Sequence, residues 1–149
     1  MTSPTLLVID RQGQPCDYSY PPEQGEQIAA INQTLIKQKC DTLWLTIKVQ
    51  TNAQESLDQL FACLRQLYRP LMRQKGCHFW VCWQGQTDPM SEAGAKALTQ
   101  IAALELAAKQ VSINFVSTTE RMPDAKRQAL LDWPQSRYYT AQSMSLTEG

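Results

Sequence analysis

The sequence holds a single histidine, six glycines and no excess of either charge, and nowhere does an apolar run approach the length of a membrane span. Each shortage closes a class of function. His78 is one isolated imidazole at the start of an apolar run, and zinc takes several clustered Cys and His ligands, so no metal is expected and His78 reads as an ordinary satisfied side chain. Fourteen basic and fourteen acidic side chains, scattered along the chain, leave no electrostatic footprint for nucleic acid or an anionic bilayer. The opening MTSPTLLVIDRQGQP has only a short apolar run, with no basic region and no small-residue cleavage site, so a soluble, cytoplasmic protein is expected. The cysteines, Cys16, Cys40, Cys63, Cys77 and Cys82, are odd in number and form no C-x-x-C pair, which points to reduced thiols. Cys77 and Cys82, five apart along one apolar run, fall on opposite faces of a strand.

What the chain does contain is an alternation of strand-like and helix-like stretches in 149 residues, one domain's worth, able to bury roughly two thirds of its unfolded surface. TLLVID reads as a strand, followed by an irregular Pro- and Gly-marked segment, RQGQPCDYSYPPEQG. Ile28, Ile31, Leu35 and Ile36 recur at helical spacing between Glu23 and Lys39, and CDTLWLTIKV is an apolar, β-rich run. A long helix opens near a Thr51 or Asn52 cap, carries Leu57, Leu60, Phe61, Leu64, Leu67 and Tyr68 on one stripe, and closes at Gly76, with Pro70 thinning its last turn. CHFWVCWQG and VSINFVS are buried strands flanking a second long helix, DPMSEAGAKALTQIAALELAAK. A short helix, TTERMPDAKRQALLDW, and an extended end, RYYTAQSMSLTEG, complete the chain. The alternation predicts an α/β fold with a mostly parallel sheet and helices on both faces.

The stretch ALTQIAALELAAKQVSIN resembles, without a gap, the stretch ALTRSLALELAPKGIRVN of the short-chain dehydrogenase/reductases, and YYTAQSMSLTEG resembles that family's ending. Weaker similarity covers LFACLRQLYRPLMRQKGCHFWVCW, and the part before Cys40 is covered poorly. The resemblance implies a Rossmann-like, doubly wound domain over 1–149, reduced in size because the chain is much shorter than a full member.

The same match carries the family's Tyr-x-x-x-Lys motif onto Asp88 and Glu92, with Ser91 matching between them, and its catalytic serine onto Trp83 or Gln84. In the family the tyrosine protonates the substrate carbonyl and the lysine lowers its pKa. Carboxylates at both positions would repel the developing oxyanion, so no catalytic residue is expected here. Glu92 and Lys96 are spaced to pair on the helix surface instead. After TLLVID come only Gly13 and then Gly25, which leaves no glycine fingerprint for a pyrophosphate and hence no expected cofactor.

Family members dimerise through the two long helices, matched here by Ser56 to Arg73 and Asp88 to Lys109. The resemblance therefore implies an interface at Phe61, Leu64, Tyr68, Ala93, Ala97, Ile101 and Ala102, serving a homo-oligomer (dimer or tetramer) or a complex with an intact reductase. The second helix is apolar on more than one face, and its alanines and Gly94 would admit a partner helix, although small residues equally suit tight packing on a sheet. The expectation is an inactive reductase-like protein that acts through assembly. Its alternatives are a small-molecule or acyl-ligand binder that needs no nicotinamide cofactor, and an oxidoreductase with a non-standard site.

Overall fold

The computed structural model describes residues 4–10, 12, 14–19, 33, 40–49, 52–73, 76–85, 89–132 and 143–146. In chain order the elements are β1 (Thr5–Asp10), β2 (Pro15–Ser19), β3 (Cys40–Lys48), α1 (Ala53–Arg73), β4 (His78–Gln84), α2 (Pro89–Leu106), β5 (Ser112–Thr118), α3 (Asp124–Asp132) and β6 (Ser143–Leu146). One six-stranded sheet has the order β2-β1-β3-β4-β5-β6. The helix expected over Glu23 to Lys39 lies outside the described residues, apart from Gln33, which is helical.

The three continuous apolar runs form neighbouring parallel strands, with Leu43, Phe79 and Ile113 level across them. Such runs are apolar throughout because both faces of the sheet are covered. On one face, Leu43, Leu45, Ile47, Phe79, Val81, Trp83, Ile113 and Phe115 meet Leu60, Cys63, Leu67 and Leu71 of α1 and Ala95, Ala103 and Leu106 of α2. On the other, Leu7, Trp44, Trp80, Cys82 and Val116 meet Met122 and the α3 residues Leu130 and Leu131. Cys77 and Cys82 do fall on opposite faces. His78 is buried and stands edge-on to Trp80, with ring centroids 5.7 Å apart.

The first third of the chain departs from expectation. Within the segment expected to be irregular, Pro15–Ser19 is a strand: Asp10 Oδ1 accepts hydrogen bonds from the backbone N–H groups of Gln12 and Gln14, both at 2.9 Å, and β2 pairs back along β1. β1 also runs antiparallel to β3, with Thr5 level with Thr46 and Asp10 level with Cys40. The sheet is thus parallel from β3 through β6 and antiparallel at β1 and β2.

The Asn52 side-chain carbonyl caps α1, accepting from Gln54 N at 3.0 Å. Pro70 does not end this helix, which continues to Arg73, and Gly76 at φ +86° makes the turn into β4. α2 buries Ser91, Ala95, Thr99, Ala103 and Leu106, one side chain per turn, and Thr99 satisfies its hydroxyl on Ala95 O at 2.9 Å. The helix proper ends at Leu106, earlier than expected; a 3-10 turn over Ala107–Lys109 and a left-handed Gln110 at φ 60° follow. Gly94 faces inward to α1, where an added Cβ would lie 3.4 Å from Leu57 Cδ2, so it belongs to the chain's own helix pair.

Candidate functional site

In open parallel sheets ligands collect outside the carboxyl ends of the strands. Here the backbone ladder continues to those ends. Val49 N donates to Gln84 O and Gly85 N donates to Thr118 O, both at 2.8 Å, so the ladder extends past β3 and β4. Gly85 has φ +133°, and a Cβ there would stand 3.1 Å from Val49 Cβ, so any side chain would strain the backbone and crowd Val49.

Trp83, at one candidate position for the catalytic serine, is fully buried in the core facing α1 and α2, where its indole is a packing element. Gln84, the other candidate, is half-buried at the end of β4. Glu92 lies half-buried in the first turn of α2, where a carboxylate suits the positive end of the helix dipole. Asp88 falls outside the described residues. The expected surface pair of Glu92 with Lys96 is not formed within 4 Å, whereas Arg127 and Asp124 on α3 do pair, at 3.4 Å.

A nicotinamide dinucleotide needs a turn from strand to helix at the carboxyl end of the sheet, with free N–H groups for its pyrophosphate. β1 ends instead in the Asp10 turn, level with the start of β3, and continues into a strand. The α1 N-terminus spends its first free N–H on Asn52 and carries Glu55 in its first turn, which repels an anion. Among the described residues no turn fits the pyrophosphate of this cofactor. Among the described residues no three His, Cys, Asp or Glu side chains gather into a metal site, and no helix is long and apolar enough to cross a membrane. The buried Cys63 and Cys82 thiols are pushed up to about 12 by burial, so neither is a ready nucleophile.

The outer surfaces of α1 and α2 are different in kind. They enclose a groove of about 1170 Å³ whose apolar lining includes Phe61, Leu64, Tyr68, Leu98, Ile101 and Ala102. Leu64, Tyr68 and Ala102 are half-buried and also support the core, so they form its floor. Phe61 and Ile101 stand 53% and 54% exposed on its walls. Ala93 and Ala97 are exposed on the outward line of α2. That line also contains Met90, 86% exposed, and Leu104, 73% exposed, which the expected interface omitted. The line was readable from spacing, because Met90, Ala93, Ala97, Ile101 and Leu104 fall three or four apart. Arg65, Arg69 and Arg73 border the groove along α1, four apart, with Glu105 on α2 opposite them.

No protein-family model and no curated protein sequence matches the chain. In three dimensions it is similar to solved structures. BdcA (YjgI) from E. coli matches with a TM-score of 0.53 and 16% identity over 80% of this chain and 67% of its own. A hydroxysteroid dehydrogenase from Escherichia coli matches with a TM-score of 0.54 and 12% identity over 86% of this chain and 72% of its own. At such identities the likeness is one of fold: the reduced, Rossmann-like α/β architecture implied by the sequence resemblance is the architecture found.

Proposed function

We propose that this chain is a catalytically inactive reductase-like protein of the cytoplasm that acts by assembling with a second copy of itself through α1 and α2. The observation that carries this reading is the symmetry of the outward line of α2. Ala97 lies at its centre, Ala93 and Ile101 lie four residues to either side, and Met90 and Leu104 lie seven to either side. A two-fold axis at Ala97 packs two antiparallel copies so that Ile101 rests on the partner's Ala93, Leu104 meets the partner's Met90, and the two Ala97 methyls allow close approach. Small faces large where Ile101 meets Ala93, and the larger Leu104 and Met90 meet at the two ends of the line. Each large apolar side chain so covered contributes roughly 1.5–3 kcal/mol.

The area is sufficient. Helices of 21 and 18 residues side by side present roughly 30 Å by 20 Å, or about 600 Å² per copy, which meets the low end of specific interfaces at about 1,200 Å² in total. Inactivity is supported by Trp83 or Gln84 and Glu92 standing, by the sequence resemblance, at positions that need a serine and a lysine. The buried Cys63, Cys77 and Cys82 suit a reducing compartment.

Light scattering on a size column tests the reading. A dimer is expected at micromolar concentration, and Ala97→Glu is expected to give a folded monomer. A chain that is monomeric at every concentration overturns the proposal. A heterodimer with an intact reductase that outcompetes the self-pair overturns the choice of partner. Melting with NADH or NADPH should show no shift, whereas a ligand at a hundred times its dissociation constant would add about 2.7 kcal/mol.

A further inference from the structure

α1 also has an exposed edge, broader than the line on α2, and its pattern is electrostatic. Glu55 and Asp58 are exposed in its first half, Phe61 is exposed at its middle, and Arg65, Arg69 and Arg73 are exposed in its second half. We infer that α1 pairs antiparallel with its own copy across the same two-fold axis, Phe61 meeting the partner's Phe61 and Arg65 seated between the partner's Glu55 and Asp58, so that charge fixes the register of the dimer. This inference rests on the self-assembly proposed above.

The level of the axis on α1 follows from the helix pair itself. Both helices return from parallel strands and so run in the same direction. Gly94 abuts Leu57, which places Ala97 level with Leu60 and Phe61. An axis through Ala97 therefore crosses α1 at Phe61. Arg65 lies four residues above that level, about 6 Å, and Asp58 and Glu55 lie three and six residues below it. Antiparallel packing brings those levels together, with Arg69 just beyond, toward the partner's Glu55. The opposite arrangement, α1 running parallel to the partner's α1, would set the three arginines against three arginines. At the edge of an interface such like-charge contacts oppose association, so the pattern selects one orientation.

The acidic side chains are available for this role. Asp58 Oδ1 accepts a hydrogen bond from Gln54 Nε2 at 2.9 Å, within its own helix, and has a second oxygen for a guanidinium. The geometry also separates two functions along the groove: α2 supplies apolar area, and α1 supplies orientation.

The test measures the dimer dissociation constant by sedimentation in low and high salt, for the parent chain, Arg65→Glu, and the triple swap Glu55→Arg, Asp58→Arg, Arg65→Glu. The dissociation constant of the parent should rise with salt. Arg65→Glu should raise it at least tenfold, and the swap should return it to within threefold of the parent. Circular dichroism melts of these surface variants should stay at the parent value. A parent dimer that Ala97→Glu dissociates but Arg65→Glu leaves unchanged overturns the pairing while the assembly stands, as does a swap that fails to restore it. A monomeric parent overturns both.

Discussion

Gly94 of α2 faces Leu57 of α1 across so small a gap that a methyl at Gly94 would sit 3.4 Å from Leu57 Cδ2. That distance is ordinary contact, and the atom met is the end of a flexible side chain. Glycine inside a helix costs about 0.8–1.0 kcal/mol relative to alanine. Gly94→Ala should therefore stabilise the protein by roughly 0.5–1 kcal/mol in urea unfolding. Gly94→Leu should destabilise it, because the added carbons must push α1 outward. A destabilised alanine variant would mean that Leu57 cannot yield.

The two buried thiols set an alkaline limit on stability. Burial raises Cys63 and Cys82 from 9.0 to about 12, with Arg127 partly opposing the shift at Cys82. In this window the unfolded chain loses protons that the native chain keeps, so the contribution is intact below pH 9 and is lost as pH rises toward 12. Each thiol then costs up to about 1.4 kcal/mol per pH unit. Stability measured from pH 8 to 11 should fall, and Cys63→Ala should lower the slope. In native protein at pH 8 a thiol reagent should modify the exposed Cys16 while Cys63 and Cys82 stay protected.

Trp44 and Trp80 stack across β3 and β4 with centroids 5.7 Å apart and planes at 27°. Trp80 Nε1 is fully buried without a hydrogen bond among the described residues. Trp80→Ala should cost about 3–5 kcal/mol through the cavity it leaves. Trp80→Phe should cost less than about 2 kcal/mol, because it also removes a buried donor whose burden is about 1–3 kcal/mol. Equal losses for the two variants would show that the indole nitrogen carries no penalty.

Writing the family's Tyr-x-x-x-Lys motif into the chain should not create a reductase. Asp88→Tyr with Glu92→Lys supplies the phenol and the ammonium, but Trp83 remains in the core and the first strand still lacks its pyrophosphate turn. Purified double variant should oxidise no NADPH with a carbonyl substrate. Measurable turnover would show that the strand ends open far enough to admit the cofactor.

The central architecture was legible because burial on both faces writes itself into β3, β4 and β5 as unbroken runs of bulky residues. α2 was legible as a helix with two apolar sides, but spacing did not separate the exposed Ala93 and Ala97 from Ala102, which packs against the core. The hairpin was not legible. PCDYS is exposed and polar, with a proline at its start, so neither apolar alternation nor a continuous run marks it. Nor does TLLVID record its direction, since a buried strand has the same composition whichever way it runs. Gly94 was read toward a partner because spacing alone cannot say which of two neighbouring helices a small residue admits. The charge order along α1 was present in the sequence, yet it acquires meaning only when Phe61 is seen to face outward.

The direction of the first strand decides at which rim of the sheet its following turn lies. Asp10, at the end of β1, is level with Cys40 at the beginning of β3, at the far rim of the sheet from Val49, Gly85 and Thr118. Adding glycines to this turn would build a nest on the wrong side of the molecule. A dinucleotide turn after the first strand would require that strand to be threaded the other way, a change that point substitution does not reach.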